Sequence, residues 1–147
     1  MAVSRSIRAR ALVPGVAAGR VLALAEPLSL WGGLDPQTGR IIDRRHPRCG
    51  EIVTSAVCVL PWGRGSSSSS SVLLEAVRCH TAPAAFLLLE VDGILALGAV
   101  VARELYHLGP PVLVLQSADY ESLVEGEEVE ITEEGMVTVR AGRRIEP

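Results

Sequence analysis

Between an apolar run ending at Leu60 and a helical pattern beginning at Val72 stands Pro61-Trp62-Gly63-Arg64-Gly65, followed by six serines, Ser66 to Ser71. Glycines let a backbone come close to a ligand, and the first turn of a helix offers unpaired N–H groups to a carboxylate or phosphate. Arg64 adds a planar fork that matches a carboxylate. Ser66, at the turn itself, could act on whatever is held there. Two plainer readings stand beside this one. Gly/Ser-rich segments also serve as flexible linkers, although this one is flanked by two elements that must pack together. Serines are poor in a helix interior but favoured at its start, where a hydroxyl caps free amides, so Ser70 and Ser71 carry no more than capping. A hydrolase nucleophile is a weaker reading, because Gly65-Ser66-Ser67-Ser68 lacks the second half of G-x-S-x-G. His80 and His107 fall near predicted helix C-terminal ends, where a cation complements the dipole.

Composition removes other chemistries. All 14 basic residues are arginine, which excludes a Schiff-base lysine and a P-loop. A net charge of −3 and 3% aromatic residues give no electrostatic or stacking basis for nucleic acid. Cys49, Cys58 and Cys79 form no C-x-x-C pair and are too few for a cluster or structural zinc. Cys58, inside an apolar run, reads as a buried small hydrophobe. Reduced thiols fit a cytoplasmic location. No stretch reaches the ~20 apolar residues of a membrane span, since residues 82–102 are interrupted by Glu90 and Asp92. Arg5, Arg8 and Arg10 precede a run broken by Pro14-Gly15, so the start reads as a frayed strand and not a targeting peptide.

The elements that must position the segment follow from periodicity. Residues 7–13 and 20–25 read as short strands. Residues 30–50 hold turn dipeptides at short intervals and read as a long ordered loop with a brief strand. A strand over 52–60 is rich in Val and Ile, strands over 84–89 and 112–115 are apolar, and helices over 72–78 and 93–107 lie between them. In the second helix Ile94, Leu97, Val101 and Leu105 recur at spacings of three and four, and Pro110 stops it. Strands without polar alternation, separated by helices, predict a small parallel sheet in an α/β fold. Residues 127–132 and 136–140 alternate around Glu133-Glu134-Gly135, a hairpin signal. One domain over 1–147 is expected, with a core at about 8–116 and the hairpin at about 127–140.

The residues carry a resemblance. The run Glu26-Pro27-Leu28-Ser29-Leu30-Trp31-Gly32-Gly33-Leu34-Asp35-Pro36-Gln37-Thr38-Gly39-Arg40-Ile41-Ile42-Asp43, then His46-Pro47, Gly63-Arg64-Gly65-Ser66-Ser67 and Ile94-Leu95-Ala96-Leu97-Gly98-Ala99, resembles the aconitase X small subunit over about residues 8–116. The resemblance implies the aconitase swivelling-domain β/β/α fold, and one half of a heteromeric dehydratase whose large subunit carries an iron–sulfur cluster. This chain alone would bind no cofactor. Ser66 would be the proton-abstracting base, with Arg64, Gly65 and Ser67 holding a small hydroxy acid and the partner's iron acting on the departing hydroxyl. Family members dehydrate cis-3-hydroxy-L-proline or mevalonate 5-phosphate. The serine run and Asp43-Arg44-Arg45-His46-Pro47 are more similar to the hydroxyproline type. Ser68 and Ser69 stand where aconitase proper has an arginine, which argues against citrate and isopropylmalate chemistry. A non-catalytic anion-binding module is the alternative of a different class.

Overall fold

The computed structural model describes residues 4–63 and 67–142. Along the chain run β1 (Ser4–Arg8), β2 (Arg10–Val13), β3 (Ala17–Ala23), β4 (Leu34–Asp35), β5 (Arg40–Ile41), β6 (Val57–Leu60), α1 (Ser68–Arg78), β7 (Ala85–Leu88), α2 (Gly93–Tyr106), β8 (Val112–Val114), α3 (Ser117–Ser122), β9 (Glu128–Ile131) and β10 (Met136–Arg140). Eight strands form one sheet in the order β1-β10-β9-β3-β6-β7-β8-β2. Strands β3, β6, β7 and β8 are mutually parallel, and the others join antiparallel. Only Ala9 separates β1 from β2, yet they lie at opposite ends of that order. The strand order therefore closes on itself through one bent strand, and Ser4 pairs with Arg140 where that strand begins.

Closure explains why the central strands lack polar alternation. Val57, Val59, Ala85, Leu87 and Leu113 face an inner core shared with Val129, Ile131, Val137 and Val139 of the hairpin. Cys58, Leu60, Phe86, Leu88 and Val112 face the opposite way, against Leu73 and Ala76 of α1 and Leu95, Ala99 and Ala102 of α2. A strand buried on both faces needs an apolar residue at every position. The result is three layers, β/β/α, with the hairpin as a full member of the sheet.

Several boundaries differ from those the periodicity predicts. The 7–13 strand is two strands, because the chain bends at Ala9 to serve two neighbours. The 52–60 strand begins only at Val57: Ser55 takes a left-handed φ of 61° and turns the chain, and Ile52 is exposed. The first helix starts at Ser68, four residues earlier than expected, so four serines lie within it. Helix α3 is additional, a six-residue segment with no buried residue. The loop over 30–50 does contain a brief antiparallel pair, β4 with β5. Leu24, Leu28, Leu30, Leu34 and Ile41 sink into the helix-side core and hold it down. At its tip Gly39 has φ +75°, and a Cβ there would stand 2.2 Å from Thr54 Oγ1. Among the described residues no helix is long and apolar enough to cross a membrane.

Candidate functional site

Strands β6 and β7 run in the same direction, so their C-terminal ends and the starts of α1 and α2 gather at one end of the sheet. Parallel sheets offer ligands a crevice at that end. A cleft of about 390 Å³ lies there, its walls including Leu28, Leu30, Trp62, Ser69, Glu90 and Ile94. The loop that follows β3 supplies one wall, and the segment after β7 supplies the other. Gly63 and Ser69, on either side of residues 64–66, both line it.

Asp92 organises the floor. As N-cap of α2 its Oδ1 accepts from the amides of Ile94 and Leu95 at 2.9 and 3.1 Å. Its Oδ2 accepts from the Gly63 amide at 2.7 Å. A Cβ at Gly63 would stand 2.2 Å from that oxygen, so the contact requires glycine. Ser69 is buried, and its Oγ lies 3.5 Å from the Trp31 amide. Its neighbour Ser70 donates its hydroxyl to the Ser67 carbonyl at 2.6 Å. Helices α1 and α2 cross closely here: a Cβ on Gly98 would meet Ser70 Cα at 3.1 Å. The serine run thus has a packing reason as well as a capping one, since small side chains let the helix starts converge.

Of the residues singled out from sequence, Arg64, Gly65 and Ser66 lie outside the described residues. Ser67 is the exposed N-cap of α1, and its side chain makes no capping hydrogen bond. His80 and His107 follow the C-terminal ends of α1 and α2, both with left-handed φ, in keeping with their terminal placement. His46 is buried in the loop and fastens it: the Arg48 amide donates to Nδ1 at 3.0 Å, and Nε2 lies 3.3 Å from the Glu26 carbonyl. Arg48 pairs with Glu125 at 3.0 Å, while Arg44 and Arg45 are exposed.

Asp92, Ser69 and Glu90 escaped sequence reasoning. An Asp directly before an apolar periodic run is a helix-start signal, so the cap of Asp92 was legible. Its bond to Gly63 spans 29 positions and leaves no local trace.

The cysteines do not form a cluster site. Burial pushes the Cys58 thiol up to about 12, so it stays protonated and is a poor ligand. Cys79 is half-buried at the end of α1, its thiol also raised by burial and by Glu75, and Cys49 is exposed on the loop. Among the described residues no group of three or more His, Cys, Asp or Glu could hold a metal ion. These residues do not fit an iron–sulfur cluster.

The sequence matches the family described as "Aconitase X swivel domain" over residues 6–139. It is 41% identical over 132 residues to the cis-3-hydroxy-L-proline dehydratase of Hypocrea jecorina, covering 90% of this chain and 22% of that protein. It is 38% identical over 130 residues to the phosphomevalonate dehydratase small subunit of Methanothermobacter thermautotrophicus, covering 87% and 95% of the two. The chain thus spans about a fifth of the length of the fungal enzyme and nearly all of the archaeal subunit. The crystal structure of Thermococcus kodakaraensis aconitase X in its holo-form superposes with a TM-score of 0.81 at 29% identity, covering 92% of this chain and 98% of that one. A cleft at the joined helix starts, a closed β/β/α frame and these matches across most of the chain lead to one conclusion: the chain belongs to the aconitase X swivel-domain family.

Proposed function

We propose that this chain is the small component of an aconitase X-type dehydratase acting on cis-3-hydroxy-L-proline, and that it works with a large partner subunit carrying an iron–sulfur cluster. The reading is supported above all by the cleft: Gly63 and Ser69 line it on both sides of the residues proposed to act. In this proposal Arg64 and Ser67, at the start of α1, hold the substrate carboxylate. Gly65 lets the backbone close on it. Ser66 takes the proton from the carbon bearing the carboxylate, the hydroxyl on the next carbon leaves, and a carbon–carbon double bond forms that rearranges to pyrroline-2-carboxylate.

Serine is a weak base and must be activated. A helix start contributes at most ~2 kcal/mol, and one pKa unit is about 1.4 kcal/mol, so α1 alone shifts Ser66 by little more than a unit. Arg64, whose charge acts more strongly in a site dried by closure against the partner, must supply much of the rest. The isolated chain is therefore expected to be inactive.

Charge favours hydroxyproline over a phosphate ester. Among the described residues lining the cleft the charged ones, Glu90 and Asp92, are both carboxylates. Asp92 is committed to the Gly63, Ile94 and Leu95 amides, and Glu90 suits a substrate with a cationic ring nitrogen and repels a phosphate. The second reading, phosphomevalonate dehydration, is favoured by the near-complete overlap with the archaeal small subunit. Copurification with the large subunit, followed by assays on both substrates, separates the two. Turnover by the single purified chain would overturn the two-subunit scheme. Ser66→Ala is expected to abolish turnover and leave complex formation intact, while Ser71→Ala leaves the rate near normal. A near-normal rate in Ser66→Ala would move the base to Ser67. Binding of either acid without turnover by the assembled pair would favour the anion-binding module.

A further inference from the structure

The two carboxylate oxygens of Asp92 hold different parts of the chain. One caps α2 through Ile94 and Leu95; the other accepts from the Gly63 amide, across 29 positions. A helix start needs only one acceptor, and Ser or Asn caps about as well as Asp. Serine has a single oxygen. Asparagine has one acceptor and a donor amide, and that amide would face the Gly63 N–H. Only a carboxylate satisfies both partners from this position. Gly63 is matched to it, since a Cβ there would stand 2.2 Å from the accepting oxygen.

We infer that Asp92 is a positioning residue: by holding the Gly63 amide it fixes where the glycine–serine segment leaves β6 relative to the start of α2. For its effect on rate this rests on the proposed function. The bond itself does not.

The test uses the full chain assembled with its large subunit, as wild type, Asp92→Ser and Asp92→Asn. Both variants keep the cap and lose the second acceptor. Hydrogen exchange at the Gly63 amide is expected to quicken roughly tenfold or more, as for loss of a charge-assisted hydrogen bond. Exchange at Ile94 and Leu95 stays near wild type. With cis-3-hydroxy-L-proline, kcat falls roughly 10- to 100-fold while KM stays within about threefold, the pattern of a displaced reacting group. Gly63→Ala breaks the same contact from the other side, so combining it with Asp92→Ser should cost little beyond either alone.

Unchanged Gly63 exchange in both variants would overturn the inference, and so would quickened exchange with unchanged kcat. Failure of both variants to fold would overturn it too, because each retains the cap. If the wild-type assembly does not turn over this substrate, the proposed function fails, and exchange at Gly63 still decides whether Asp92 holds it.

Discussion

His46 illustrates how a side chain inside a family-like motif can serve the frame and not the chemistry. Its ring is 6% exposed and contacted on both nitrogens. Because the Arg48 amide donates to Nδ1, the ring proton lies on Nε2 and points to the Glu26 carbonyl. His46→Ala would orphan a backbone donor at the base of the loop and is expected to cost about 1–3 kcal/mol in urea unfolding. Loss of turnover at unchanged stability would instead place His46 in the reaction. Sequence showed the His46-Pro47 pair but not this fastening, because Glu26 lies 20 positions away. The same limit applies to Asp92 and Gly63. A residue's type announces which bonds it can make, and only the fold decides with whom.

The elements were more legible where their signals are local. Spacings of three and four, with Pro110 beyond, marked a helix over 93–107, and α2 covers Gly93–Tyr106, but its buried face is Leu95, Gly98, Ala99 and Ala102, while Leu97 and Leu105 of the recurring set are exposed. Glu133-Glu134-Gly135 marked the hairpin, and Gly135 turns it with φ +85°. The start of α1 was not legible, because serine propensity argues for a later beginning and is overridden by the crossing of α1 and α2. That crossing yields a prediction. A Cβ on Gly98 would already press on Ser70 Cα at 3.1 Å and Leu73 Cδ2 at 3.2 Å. Gly98→Val adds two further methyls and is expected to destabilise by about 1–3 kcal/mol through overpacking, read from the urea midpoint. Neutral behaviour would mean that the helices are free to separate.

At the scale of the whole molecule the pairing order was hidden from sequence. Four-residue apolar strands do not encode their neighbours, and nothing local says that residues on either side of Ala9 serve opposite ends of the sheet. The end strands β1 and β2 each pair on one side, with β10 and β8, and both are short, as edge strands that resist unwanted pairing are. The β1 end is pinned by Arg5, whose guanidinium bonds Glu127 at 2.8 Å and the Ser122 carbonyl at 2.9 Å. The Arg5 hydrogen bond holds the Glu127 carboxyl below its ordinary value of 4.5. A carboxyl depressed in the folded state contributes stability above its unfolded value, and that contribution is lost as pH falls through the folded value. Because Arg5 is partly exposed, the contribution is at most about 1 kcal/mol. Urea midpoints at pH 7 and pH 3 should therefore differ less in Glu127→Gln than in wild type, and equal differences would remove the pair from the acid sensitivity.

The pairing of Ser4 with Arg140 has a mechanical consequence. The described backbone enters and departs through adjacent lanes of one ladder, so a pull applied between Ser4 and Arg140 meets the hydrogen bonds of β1 and β10 one after another and not all at once.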